Sequence, residues 1–236
     1  MEKITWLGHA AVCIESPGCT ILIDPFFAGN PSAVLSWEKL PKPDLVLVTH
    51  LHGDHAGDSV EICQKTGAML GAVVDSCPVL VENGLPQGQV VNGIGFNIGG
   101  TVQVGSASIT MTEAFHSAPA GCCTGFIITL QSGFTIYHAG DTGIFANMAT
   151  WGQLYSLDLA LLPIGGIFTM DARQAALAAK MLKAKAVAPI HWKTFPILAQ
   201  EADSFVKALS LEAPDCKAVV MEPGVTLPLV SNCKNI

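Results

Sequence analysis

The sequence predicts an α/β protein, a four-layered αββα sandwich made of two related halves. Three observations carry that reading. Short apolar runs of strand character recur along the chain, each closed by a polar or glycine-rich turn. Two of them, 45–48 and 159–162, are apolar throughout, as strands buried on both faces are. A longer pattern also repeats. Thr20-Ile21-Leu22-Ile23-Asp24 precedes Asp44-Leu45-Val46-Leu47-Val48, and about 115 residues later Thr135-Ile136-Tyr137-His138 precedes Asp158-Leu159-Ala160-Leu161-Leu162. Two halves, each a β-meander followed by a βα unit, would stack two sheets with helices outside.

The elements follow in order. Residues 4–7, 11–15 and 20–23 read as an opening meander, and 45–48 as a buried strand. Residues 58–65 have the body of a helix, 68–74 form a further strand, and 79–82 a short helix. Five glycines between 93 and 105 predict turns and short strands. Strands are expected at 108–113, 124–130 and 134–138, the last two joined by a hairpin turn at Gln131-Ser132-Gly133. After the strand at 159–162, Asp171 opens an alanine-rich helix with Gln174 as its capping-box partner. Residues 186–190 form a strand. Leu198, Ala202, Phe205, Val206 and Leu209 have helical spacing, and 217–221 and 225–229 close the sheets.

Composition narrows the function. Half of the 236 residues are hydrophobic and 13% are charged, against roughly a quarter in typical domains, which excludes a disordered chain. Lysine plus arginine is 12 and acids are 19, so the net charge is −7, and Arg173 is the one arginine. Such a chain lacks the basic footprint that nucleic-acid binding requires. No apolar run is long enough to span a membrane, and the N-terminus lacks the apolar core of a signal peptide. The eight cysteines, at 13, 19, 63, 77, 122, 123, 216 and 233, form no C-x-x-C pair. They are expected to be reduced, mostly buried thiols of a cytoplasmic protein. With no Pro/Gly/Ser linker, residues 1–236 are expected to form one domain.

The chemistry concentrates in His50-Leu51-His52-Gly53-Asp54-His55. His50 ends a buried strand, and His52, two residues on, can point the same way. Gly53 permits a sharp turn, after which Asp54 and His55 start a helix and can face a second point nearby. One short segment can thus serve two adjacent metal ions. Further ligand-type residues follow other expected strands: His116 after 108–113, Asp141 after 134–138, and His191 after 186–190. Residues at the carboxyl ends of strands in α/β folds converge on a crevice. All seven side chains are therefore expected to meet in one cavity.

This pattern resembles the metallo-β-lactamase superfamily of αββα metal-dependent hydrolases, and the match runs in order along nearly the whole chain. Trp6-Leu7-Gly8-His9-Ala10, Ile21-Leu22-Ile23-Asp24-Pro25, Pro163-Ile164-Gly165-Gly166 and Thr194-Phe195-Pro196 resemble a compact prokaryotic branch similar to ascorbate-phosphate lactonases. The resemblance implies that His50, His52 and His116 hold one metal. Asp54, His55 and His191 would hold a second, with Asp141 bridging. Imidazole and carboxylate donors suit Zn²⁺, the expected metal, and also Mn²⁺ or Fe²⁺. It also implies a small-molecule substrate, a small ester, lactone or phosphoester attacked by a metal-bridging hydroxide that Asp54 helps to orient. Asp24 is expected either to steady the ligand loop by hydrogen bonds or to cap a turn. His9 is placed either at the pocket or as an ordinary hairpin residue; Gly165, Gly166, Thr169 and Met170 either line the pocket or serve the loop, and His138 is expected to be buried beside the pocket. Where relatives carry Asn two residues after the last histidine ligand, this chain has Trp192-Lys193; Lys193 is placed either against an anionic substrate group or in solvent. Cys122 and Cys123 follow His116 and are expected to be buried away from the metals.

Alternative functions on the same scaffold are a nuclease or phosphodiesterase, an iron oxidoreductase, and a non-catalytic metal-binding protein. A homo-oligomer is compatible with the sequence.

Overall fold

A computed structural model describes residues 1–230; Cys233, grouped above with the reduced thiols, lies outside the described residues, as does the end of the expected domain. In the first half, strands β1 (Lys3–Gly8), β2 (Ala11–Ser16) and β3 (Cys19–Ile23) form an antiparallel meander, and β4 (Leu45–Leu47) and β5 (Met69–Gly71) add on in parallel. Helices α1 (Gly53–Ala56), α2 (Ser59–Thr66) and α3 (Cys77–Glu82) lie along this half. The second half repeats the plan. Strands β6 (Thr101–Val104), β7 (Ala107–Glu113), β8 (Thr124–Thr129) and β9 (Thr135–His138) are antiparallel neighbours. After α4 (Met148–Leu154), β10 (Leu159–Pro163), β11 (Ala186–Ile190) and β12 (Lys217–Ala218) extend the second sheet in parallel, with α5 (Ala172–Leu182) and α6 (Asp203–Glu212) as the connections between them. The last strand, β13 (Thr226–Pro228), returns to pair with β1 in the first sheet.

The sheet orders are β13-β1-β2-β3-β4-β5 and β12-β11-β10-β9-β8-β7-β6. Ile4, Trp6, Val12, Ile21 and Leu45 of the first sheet share one apolar layer with Ile109, Phe126, Ile136 and Leu161 of the second. Outside the first sheet, Leu22 and Val46 pack with Ile62 and Cys63 of α2 and Leu80 of α3. Ala175, Ala179 and Phe205 of α5 and α6 cover the second. The result is the αββα sandwich.

The internal echo has a structural counterpart at two aspartates. Asp44 Oδ2 accepts the Thr20 N–H at 2.8 Å, and Asp158 Oδ2 accepts the Thr135 N–H at 2.9 Å. The Asp44 N–H donates to Thr20 O, and the Asp158 N–H to Thr135 O, both at 2.9 Å. Their carbonyls accept from Met69 N and Ala186 N at 3.0 and 3.1 Å. Each aspartate therefore pins the start of one parallel strand to the strand before it, in the same register.

Several expectations need correction. The strand at 68–74 stops at Gly71, because Val74–Ser76 coils into a 3-10 turn. The last helix begins at Asp203, so Leu198 and Ala202 precede it; Leu198 is held in a loop by its N–H bond to Phe195 O. Helix α4 was not foreseen, since Gly152 lies inside it. That glycine is required by packing: a Cβ there would stand 2.5 Å from the Leu182 carbonyl at the end of α5. Nor does Gly53 make the sharp turn. It opens α1, and the turn falls at Gly57 (φ +38°), where a Cβ would meet the Pro25 carbonyl at 2.5 Å.

Candidate metal centre

Thr49 organises the loop after β4. Its N–H donates to Asp24 Oδ1 at 2.8 Å and its hydroxyl to Asp24 Oδ2 at 2.7 Å. The hydroxyl oxygen also lies 3.0 Å from His50 Nδ1. Its one proton is committed to Asp24, so His50 Nδ1 must be the donor, which leaves the lone pair on His50 Nε2. That atom stands 2.8 Å from His52 Nδ1. His55 Nδ1 donates to Asp24 Oδ2 at 2.7 Å, which turns His55 Nε2 towards Asp141.

Asp141 comes from the other half of the molecule. Gly140, at φ +62°, makes the turn that presents it, and a Cβ there would collide with the Thr124 carbonyl. His138 anchors the same turn. Its Nε2 donates to Ala10 O at 2.9 Å and its Nδ1 accepts the Gly140 N–H at 3.1 Å. Both ring nitrogens are engaged, so His138 supports the site without offering a donor atom to it. Asp141 Oδ2 then lies 3.0 Å from His191 Nε2, 3.3 Å from His55 Nε2 and 3.6 Å from His116 Nε2.

His9 occupies the tip of the β1–β2 turn and is fully buried. Its Nε2 is 3.1 Å from Asp54 Oδ2, and its carbonyl accepts both the Trp6 indole N–H and the His191 N–H, at 2.8 and 2.9 Å. The Trp6 and Trp192 rings stack 5.7 Å apart, so the two halves are joined directly beneath the cluster. His9, Asp24 and His191 all hold positive φ, at 55°, 45° and 57°. Left-handed backbone at non-glycine residues is costly and collects at functional sites.

The donors fall into overlapping groups. His50, His52 and His116 each offer an atom within 4.8 Å of the others, as do His9, Asp54, His55 and His191, and a third group, His50, His55 and Asp141, links them. All seven residues expected as ligands meet here, and His9 is an eighth whose reach to the donors was not legible in the sequence. The signal for it was Gly8-His9 at the tip of the first hairpin. No cysteine belongs to these groups among the described residues. Cys123 is buried, donating its thiol to Asp141 O at 3.2 Å, whereas Cys122 is exposed, contrary to expectation.

Burial shapes the electrostatics. It pushes His50 down to about 3 and His9 to about 4, so both rings are neutral, and it lowers His116 as well. Burial also disfavours a charged His55, but Asp141 and Asp24 outweigh it and hold His55 well above the usual imidazole range. Asp141 is held low, against its own burial, by His55 and His191. Burial works against ionised Asp54 too, and the His9 hydrogen bond with the nearby His55 keeps it below the usual carboxylate range.

These residues fit a metal. His9 Nδ1, His55 Nε2, Asp141 Oδ1 and His191 Nδ1 are buried without hydrogen-bond partners. Leaving such atoms unpartnered costs about 1–3 kcal/mol each, and a cation beside Asp141, displacing the proton that Asp141 and Asp24 otherwise hold on His55, would satisfy His55 Nε2. Imidazole and carboxylate donors without thiolate suit Zn²⁺, Mn²⁺ or Fe²⁺.

The cluster floors an open cavity of about 350 Å³, with His52, Asp54, His116, Asp141 and His191 below and Ser117, Phe168, Phe195 and Leu198 as walls. The other expected pocket residues lie elsewhere. Gly165 backs against His191, where a Cβ would stand 2.9 Å from Nδ1, and with Gly166 it opens onto a neighbouring groove. Thr169 and Met170 are buried behind the wall, and Lys193 is exposed and takes no part in the lining.

A family model for the β-lactamase superfamily domain matches residues 19–192. A UPF0173 metal-dependent hydrolase from Nitratidesulfovibrio vulgaris is 56% identical over 227 residues, covering 96% of this chain and 95% of its own. Another from Lawsonia intracellularis is 50% identical over 226 residues, covering 96% and 98%. The solved structure of Igni18, a metallo hydrolase from the archaeon Ignicoccus hospitalis, is 40% identical and superimposes with a TM-score of 0.86, covering 97% of this chain and 99% of that one. With the fold, the donor cluster and full-length relatives in agreement, the chain belongs to the metallo-β-lactamase superfamily, within the UPF0173 metal-dependent hydrolases.

Proposed function

We propose that the protein is a dinuclear hydrolase of small esters, lactones or phosphoesters, with Zn²⁺ as its metal. One observation supports this most: a single carboxylate oxygen, Asp141 Oδ2, lies within 3.6 Å of imidazole nitrogens belonging to both donor groups. That is the position of a bridging ligand. His50, His52 and His116 would hold one ion, and Asp54, His55 and His191 the other. When bound, two ions would supply Lewis acidity and draw the ionisation of nearby water towards neutral pH.

The chain's own residues do the rest. Thr49 fixes the tautomer of His50, so its Nε2 faces the site as a lone pair, and Asp24 fixes the orientation of His55, whose Nε2 would offer a lone pair once a cation displaced its proton. Asp54, a third exposed and held ionised, can orient an attacking water by accepting a hydrogen bond from it. His9 clamps that carboxylate from beneath. Phe168, Phe195 and Leu198 restrict bulk water at the mouth. No lysine or arginine lines the cavity among the described residues, which disfavours a nuclease. The free thiols of the described residues are in keeping with a reducing cytoplasm. No helix of the described residues is long and apolar enough to cross a membrane.

The test is a hydrolysis screen over esters, lactones and phosphodiesters with Zn²⁺-, Mn²⁺- and Fe²⁺-loaded protein, beside Asp141→Ala. The expected result is turnover that disappears, together with metal, in D141A. Oxygen uptake without hydrolysis would assign oxidative chemistry instead, and metal binding with no turnover would assign a binding role.

A further inference from the structure

We infer that the substrate is an uncharged ester or lactone carrying an apolar substituent, held by Phe168 and Phe195. The inference rests on the hydrolase reading and narrows it. Floor and wall of the cavity differ in chemistry. Every ionisable group of the cavity is in its floor, whereas the walls hold two aromatic rings, Leu198 and one serine. A substrate with a phosphate or carboxylate away from its reacting bond would meet no cation there, because Lys193 stays outside the lining.

Both rings are held in place. Phe195 packs edge-on to His9, with ring centroids 5.5 Å apart, and at 6.4 Å from Phe26. Phe168 sits in a tight turn closed by the Gly166 N–H to Met170 O bond at 3.0 Å. The turn fixes where Phe168 leaves the backbone, beside the cavity that it lines with Phe195. Yet Phe168 is 54% exposed, and its neighbour Ile167 is 65% exposed. Next to His116, Phe115 is 64% exposed. Of these, Phe168 lines the cavity, and a large apolar side chain left bare there marks where a ligand completes the packing.

The reaction balances without a further reactant. Water adds to the carbonyl carbon, the C–O bond to the leaving group breaks, and the proton from water passes to the leaving oxygen; the products are an acid and an alcohol, or one hydroxy acid from a lactone. The apolar substituent stays on the rings throughout, and the developing negative charge stays on the floor.

The experiment has two arms, both on the metal-loaded protein. In the first, kcat/KM is measured for p-nitrophenyl acetate, butyrate and hexanoate, and for an ester of hexanoate length ending in carboxylate. The series should rise by up to about fourfold per methylene, and the carboxylate-ended ester should fall at least about tenfold below its neutral counterpart. Phe168→Ala and Phe195→Ala should flatten the hexanoate-to-acetate ratio. In the second arm, aceto-, butyro- and hexanohydroxamate are titrated calorimetrically, with affinity expected to climb in the same order. If no ester is hydrolysed, and no lactone or phosphodiester in the wider screen, the hydrolase reading fails, and the binding arm still decides this one. A flat affinity series, or tighter binding of a carboxylate-ended hydroxamate, overturns it. So does a flat F168A effect accompanied by a shift from dimer to monomer, which would assign the rings to self-association.

Discussion

Asp24 Oδ2 accepts a hydrogen bond from His55 Nδ1 at 2.7 Å, with both side chains sealed from solvent. The same oxygen takes the Thr49 hydroxyl, and Oδ1 takes the Thr49 N–H. One carboxylate thus sets the direction of His55 directly and of His50 through Thr49. In Asp24→Asn one oxygen becomes an N–H₂ group, which donates and cannot accept the hydrogen bonds that oxygen received. Metal affinity is expected to fall by about 10–100-fold, as measured by competition with a chromophoric chelator. Affinity unchanged within error would remove Asp24 from the support of the site.

Metal removal should lower stability without abolishing the fold, because the core between the sheets is independent of the site. A ligand present at a thousandfold excess over its Kd contributes about 4 kcal/mol, and each kcal/mol moves Tm by about 2–4 °C in a chain of this size. Chelation is therefore expected to lower Tm by about 10 °C with far-UV circular dichroism retained. An unaltered Tm would contradict the orphaned donors' need for a cation.

Buried thiols provide a pH-dependent prediction. Burial pushes Cys13 and Cys63 up to about 12, and Cys19 and Cys77 to about 11. Unfolded thiols ionise near pH 8.5, so above that pH the unfolded chain holds fewer protons than the folded one, and stability falls as pH rises. Tm should decline from about pH 9 upward, and the slope should be shallower in Cys63→Ala. Iodoacetamide on the native protein should label exposed Cys122 ahead of Cys13, Cys63 and Cys123; equal labelling rates would refute this burial pattern.

The helix cap offers a control remote from the donors. Asp171 Oδ1 accepts the Gln174 N–H at 2.8 Å, and the Gln174 side chain returns the bond at 3.4 Å. Asp171→Ala should cost about 1 kcal/mol in chemical denaturation and leave metal content unchanged. A loss of metal would show coupling between α5 and the site that these contacts do not provide.

Much of this molecule was legible in the sequence because its signals are local. Asp171 and Gln174 announce their helix, and Thr20 with Asp44 announces the register that Thr135 with Asp158 repeats. The ligand-type residues were visible because each follows a strand. Other features depend on tertiary contact. Helix α4 tolerates Gly152 only because the end of α5 leaves no room for a side chain. His9 reaches the donors through a hairpin tip whose carbonyl is tied to His191 across the sandwich. Phe168 rather than the neighbouring glycines lines the cavity because of the turn from Gly166 to Met170, which composition does not encode.

The central claim is that one cluster of seven side chains holds two metal ions bridged by Asp141. Anomalous scattering from crystals of metal-loaded protein, collected on either side of the metal absorption edge, tests it most directly. Two peaks are expected, about 3.5–4 Å apart, with Asp141 Oδ2 between them, His50, His52 and His116 on one, and Asp54, His55 and His191 on the other. A single peak, or two peaks with Asp141 on only one of them, would contradict it.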